Sequence, residues 1–333
     1  MLRFWYRKFM ISQRMKNMKY YMAPLEGITG YIYRNAYSTY FQKYDKYFTP
    51  FLSPHGEKEK LTHKERNDIA PENNEGLYVV PQILTNKSGD FIRTAKMLQN
   101  LGYEEVNLNL GCPSGTVVSK YKGAGFLDKP FELQIFLTEV FEALDMKISI
   151  KTRIGMYDTE EFEDLLAIYE KFPLEELIIH PRLRQEFYQG TPHREVFHEA
   201  VKKSRHKLCY NGDLFLKAQI EQFAKEEPQV EQVMLGRGVL RNPGILQLTK
   251  EGTMPDKAVI KEFHDRLYGD YRDIMPGERP TLFKMKELWT YMGPLFTGWE
   301  ETHAKQIRKC SRLVDYEQII KQIFGNELYV DDL

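Results

Sequence analysis

Eight short apolar runs recur along this chain, at residues 20–23, 44–48, 78–83, 105–109, 148–152, 177–180, 208–211 and 232–235. Between them lie segments with apolar residues at helical spacing, such as 91–101, 131–144, 161–172, 194–203 and 215–225. This alternation of strand and helix periods constrains the fold more than any other feature. Eight strands alternating with helices over about 230 residues is the arithmetic of an α/β (β/α)8 TIM barrel. The second unit is the least regular, because 53–74 is polar and loop-like. An open doubly wound sheet is the alternative, but no GxGxxG follows the first strand. From residue 256 onward the pattern turns helical, broken at Pro276, Gly277, Gly293, Pro294 and Gly298. The expected organisation is therefore a barrel over 19–250 and a small all-helical domain over 256–333. Residues 1–18 carry Arg3, Arg7, Lys8, Arg14 and Lys16 with no acid and without the apolar core of a secretory signal. They read as a disordered or misassigned arm, with Met18 an alternative start.

Composition narrows the partners. Lys plus Arg and Asp plus Glu both total 47, so a polyanion would have to meet a local basic patch. Cys112, Cys209 and Cys310 are widely spaced and form no CxxC pair, which suits a reduced, cytoplasmic setting. No run approaches the ~18 apolar residues of a membrane span. Neither a metal nor a membrane is expected as a partner, and nothing demands more than a monomer.

In such a barrel, active residues come from the carboxyl ends of the strands, and the unusual residues of this chain fall there. Ala23, Pro24, Leu25 and Glu26 follow the first strand, and Gln82 ends the third. Asn109 and Cys112 end the fourth, Lys151 and Arg153 the fifth, and His180 and Arg182 the sixth. Asn211, Gly212 and Asp213 end the seventh, and Gly236 and Arg237 the eighth. The last two turns, NGD and GRG, lie where such barrels commonly bind phosphate, glycine letting backbone N–H groups approach the anion. Alternation in ISIKTRIG turns Lys151 away from the face of Ile148, Ile150 and Thr152, and a lysine inside a barrel mouth needs an anionic partner. Arg153 rivals it for that role. Cys112, between Gly111 and Pro113, is held on a turn at a strand end, as a structural residue or a catalytic one.

Met22–Arg34 (MAPLEGITGYIYR), PQI, NLNLGCPS, KTRIG, HPR, NGD and GRGVLRNP stand in one order, and the chain resembles the tRNA-dihydrouridine synthases. These flavoenzymes reduce selected uridines of tRNA. The resemblance covers about residues 20–250 and, more loosely, the tail. It implies FMN across the barrel mouth, with Ala23, Pro24 and Leu25 lining the flavin and Gln82 and Lys151 bonding its polar edge. It places His180, Asn211, Gly212, Asp213, Gly236 and Arg237 around the ribityl chain and phosphate. Cys112 becomes the proton donor and NADPH the electron source. Asn109 holds the uracil, and Arg153, Arg182 and Arg194 are further substrate contacts, Arg194 by position alone. Leu25 stands where the family usually shows methionine, a swap of similar volume.

The chemistry suits these residue types: a thiol with pKa near ~8.5 stays protonated at neutral pH and can act as a general acid. For tRNA, Lys305, Arg308, Lys309 and Arg312 fall at i, i+3, i+4 and i+7, one face of an uninterrupted helix. The tail as a whole has 12 Lys/Arg against 14 Asp/Glu, so this stripe is its basic feature. Two other readings are a flavin barrel acting on a free pyrimidine and an RNA-binding barrel without catalysis.

Overall fold

The computed structural model describes residues 2–54 and 61–326; residues 1, 55–60 and 327–333, including the end of the expected helical domain, lie outside the described residues. Nine parallel strand segments form the sheet: β1 (Lys19–Met22), β2 (Lys46–Phe48), β3 (Val79–Val80), β4 (Gln82–Ile83), β5 (Glu105–Leu110), β6 (Lys147–Gly155), β7 (Leu177–Leu183), β8 (Leu208–Tyr210) and β9 (Gln232–Leu235). Their order is β3-β2-β1-β9-β8-β7-β6-β5-β4. The two edges, β3 and β4, are separated in the chain by Pro81 alone, so the sheet closes on itself as an eight-position barrel. Pro81 has no N–H to donate, which splits the ladder, while its carbonyl still accepts from Asn107 N at 2.9 Å.

Alternation along each strand divides the core into two layers. Tyr21, Phe48, Val80, Ile178, Cys209 and Met234 form an inner apolar cluster. Residues one position away, such as Tyr20, Tyr47, Ile150 and Val233, join the larger cluster shared with the outer helices. The rest of the interior is polar. Gln82, Asn107 and Ser149 are fully buried, linked by Gln82 Nε2 to Asn107 Oδ1 at 2.8 Å and Asn107 Nδ2 to Ser149 Oγ at 2.9 Å.

Among the described residues, the second unit carries a short helix, His63–Ile69, started by a Thr62/Glu65 capping box, and a 3-10 turn, Pro71–Asn73. The tail is helical, through Lys257–Ile274, Glu278–Met292, Ala304–Lys309 and Leu313–Asn326. Phe263 packs against the rings of Tyr33 and Phe41, at 5.6 and 5.0 Å between centroids, so one apolar cluster runs from barrel to tail. Residues 1–18, expected as an arm, hold helix Leu2–Asn17. Its Arg14 Nη2 donates to the carbonyls of Glu227 at 2.8 Å and Val230 at 2.7 Å, and Met15 and Met18 are buried. Those acceptors lie more than two hundred residues away, beyond the reach of any local signal.

Candidate active site

Parallel strands bring every carboxyl end to one rim, where a cleft opens. Fourteen of the expected residues line it: Cys112 and Asn109, Ala23, Pro24, Leu25, Gln82, Lys151, Arg153, His180, Asn211, Gly212, Asp213, Gly236 and Arg237. Strand register sets Asn109 opposite Lys151 and Arg153 opposite His180.

The Cys112 turn is built from inside the barrel. Asn109 Oδ1 accepts from the backbone N–H of Gly111 at 3.0 Å and of Cys112 at 2.9 Å. Its Nδ2 donates to Gln82 Oε1 at 2.6 Å, which joins the turn to the buried amide ladder. Gly123, at φ +56°, folds the following loop back so that Ala124 N donates to Cys112 O at 3.0 Å. Burial pushes the Cys112 thiol above its ordinary value, against weaker opposite effects of the Ser114 N–H and Arg153.

Cations dominate the cleft. Burial and the neighbouring Arg153 lower the Lys151 ammonium to about 8. No carboxylate or hydrogen-bond partner meets Lys151 Nζ among the described residues. Burial, then the charges of Arg153, Lys151, Arg182 and Arg237, hold His180 well below the usual imidazole range, hence neutral. Arg182 Nη1 lies 3.3 Å from His180 Nε2 and can only donate, which leaves the ring proton on Nδ1. Arg182 is fully buried and grips Asp213 with both terminal nitrogens, and Arg237 Nη2 shares the same carboxylate. The backbone N–H groups of Gly212, Asp213, Gly236, Arg237 and Gly238 have no acceptor among the described residues.

Several expected contacts are arranged differently. Arg153 is buried and occupied: Nε donates to Gly111 O at 2.9 Å, Nη1 to Leu183 O at 2.9 Å and Nη2 to Phe187 O at 2.7 Å. Arg182 lies behind the cleft rather than in its lining, and Arg194 is outside it, paired with Glu226 at 2.6 Å. Lys305, Arg308, Lys309 and Arg312 do not share one helix. Helix Ala304–Lys309 ends at Cys310, in extended backbone at ψ 141°, and Arg312 precedes the next helix, paired with Asp315. Lys286 Nζ donates to the Arg308 and Cys310 carbonyls, satisfying acceptors at the helix end. Sequence reasoning missed Tyr188, whose ring stands 4.6 Å from the Arg237 guanidinium and 6.1 Å from the His180 ring. An aromatic residue in the loop after β7 was the available signal.

A family model described as dihydrouridine synthase matches residues 21–276. A probable tRNA-dihydrouridine synthase of Staphylococcus aureus (strain COL) is 27% identical over 265 residues, 75% of this chain and 77% of that protein. The probable tRNA-dihydrouridine synthase 2 of Bacillus subtilis (strain 168) is 27% identical over 266 residues, 75% of this chain and 78% of that one. Among solved structures, a variant of NCR from Zymomonas mobilis superposes with a TM-score of 0.52 at 13% identity, over 74% of this chain and 90% of that chain, a likeness of fold. The family match runs from β1 through every later strand and into helix Lys257–Ile274, so it takes in the whole framework that carries the cleft: the chain belongs to the dihydrouridine synthase family.

Proposed function

We propose that Cys112 is the proton donor, and the surrounding cleft the FMN and uracil site, in the reduction of tRNA uridines to 5,6-dihydrouridine. That reduction is the reaction of the family, and the protein is an oxidoreductase of this class. The observation that carries the residue assignment is the Cys112 turn, a thiol kept protonated by burial on a loop whose backbone N–H groups Asn109 holds at the cleft wall.

The residues present fit FMN. Five unpartnered backbone N–H groups at the two glycine turns suit a phosphate, with Arg237 beside them. Lys151 offers an ammonium to an anionic ring edge, and Ala23, Pro24 and Leu25 form an apolar wall. When bound and reduced, FMN would supply the hydride for C6 of the uracil, with NADPH as the proposed electron source. Cys112 provides the proton for C5, and the thiolate left behind is stabilised by Arg153 and Lys151. Asn109 has one Nδ2 hydrogen left for a uracil oxygen after its bond to Gln82. Arg153, anchored on Gly111 O, acts through the position of the Cys112 turn.

A uridine must leave its stack to enter, at about a few kcal/mol, so contacts to the surrounding RNA have to offset that cost. Lys87 and Lys120 are exposed at the rim beside the Cys112 loop, and Asn86 Nδ2 donates to Lys120 O at 3.1 Å, joining their two loops. Lys305, Arg308 and Lys309 on the tail are also exposed. These cations are the proposed phosphate contacts.

The test is single turnover of NADPH-reduced enzyme with unmodified tRNA. Cys112→Ala is expected to accept electrons from NADPH at the parental rate while dihydrouridine formation falls about 10²–10⁴-fold. Dihydrouridine formed at the parental rate would remove Cys112 from the role.

A further inference from the structure

Helix Glu278–Met292 of the tail reaches the rim of the cleft. Its Lys284 Nζ donates to the carbonyl of Gly27 at 2.6 Å and pairs with Glu287 one turn on. The Lys284 side chain is only 13% exposed, so this charged hydrogen bond is sheltered from solvent and stronger than a neutral one. Gly27 sits at φ +79° in the turn that presents Pro24, Leu25 and Glu26 to the cleft. The barrel braces the same turn from below. Thr29 Oγ1 accepts from Leu25 N at 2.7 Å, and Arg34 Nη1 donates to Thr29 O at 3.0 Å. Neither contact fixes the Gly27 carbonyl.

The helix also touches the opposite wall. It packs on helix Arg237–Arg241, which opens at the second glycine turn. Tyr291, two turns beyond Lys284, lies within electrostatic reach of Arg237 and Tyr188. Lys284, Glu287 and Tyr291 fall at i, i+3 and i+7, on one face of the helix.

We infer that Lys284 is a positioning residue of the cofactor seat: the tail helix Glu278–Met292 backs the cleft from behind its lining, and Lys284 holds the Gly27 turn at the height the flavin requires. This rests on the reading of the cleft as an FMN site. The tail then does more than meet RNA, because removing one tail side chain loosens a wall of the barrel's own pocket.

FMN titration of the apoprotein, followed by flavin fluorescence quenching at a temperature where circular dichroism shows the variants folded, tests this directly. Lys284→Met is expected to weaken FMN about tenfold, the scale of one charged hydrogen bond lost. Lys284→Arg, which can still donate to the carbonyl, is expected to recover most of the affinity. In steady state, activity lost by Lys284→Met at low FMN returns on adding FMN, with KM for tRNA unchanged; a purely stabilising tie would lower Tm and leave FMN affinity alone. Folded Lys284→Met with FMN affinity within about twofold of the parent, or a loss that added FMN does not restore, overturns the inference. If methionine prevents folding, the neutral but hydrated Lys284→Gln takes its place in the same titration. A parent protein that takes up no FMN overturns the reading of the cleft, and the clamp with it.

Discussion

Lys151 carries a consequence for pH that a surface lysine would not. Its ammonium is lowered to about 8 by burial first and by Arg153 second. The folded apoprotein therefore releases this proton earlier than the unfolded chain does. Below about 8 the buried charge opposes folding in full, and stability rises as pH climbs from there toward the ordinary lysine value. An anion bound beside Nζ reverses the balance by neutralising the charge. Affinity of the apoprotein for reduced FMN, whose ring carries the negative charge, is accordingly expected to fall as pH rises through about 8, and Lys151→Met is expected to bind it more weakly with that limb absent. An equal pH slope in both proteins would place the anion elsewhere. Alternation along β6 was enough to aim Lys151 inward. It could not say that Arg153, two residues on, would be taken up by carbonyls, because Leu183 at the end of β7 pairs across a register shift and Phe187 arrives from the loop beyond, whose path no local pattern fixes.

At the scale of elements, strands were legible and their connections were not. An apolar run reports its own burial, so eight runs sufficed to anticipate the barrel, Pro81 merely dividing one of them. The tail stripe failed for the opposite reason. Helical spacing continues through Cys310 in the sequence, but Lys286 bonds the carbonyls at that point and the helix ends. The loop after Cys112 lies between these cases, since its glycines were visible while their purpose was geometric. A Cβ on Gly123 would stand 2.8 Å from Cys112 O and 3.0 Å from Cys112 Cβ, at a φ of +56° that side chains rarely adopt. Gly123→Ala is therefore expected to displace the Cys112 turn, at a strain of about 1–3 kcal/mol. FMN affinity should survive, because the proposed cofactor wall lies on other strands, while kcat for dihydrouridine formation falls more than about tenfold. Unchanged kcat would mean that the turn absorbs the methyl group without moving the thiol.

For the molecule as a whole, the barrel separates chemistry from stability along its axis, the carboxyl rim holding the cleft and the amino end a buried ionic cluster. Lys46 Nζ donates to Glu105 Oε2 at 2.7 Å and to Glu176 Oε1 at 2.6 Å, with both carboxylates nearly inaccessible and Glu105 Oε1 left without a partner. One ammonium faces two carboxylates, and burial, ahead of the opposing effect of Lys46, raises the Glu176 carboxyl above its ordinary value. A raised carboxyl gives stability that is present below the unfolded pKa and lost as pH rises through the folded one, so at neutral pH Glu176 costs more than it returns. Glu176→Gln is expected to match or exceed the parent in stability near pH 7 and to flatten the stability lost as pH rises from about 4. Lys46→Met leaves two carboxylates buried without a cation and should lose about 3–5 kcal/mol. Denaturant unfolding of the three proteins across that range decides the matter, since equal losses in both variants would make the cluster a mutually required network. Activity per folded molecule should be unchanged in Glu176→Gln, because the cluster and the Cys112 turn lie at opposite ends of the strands.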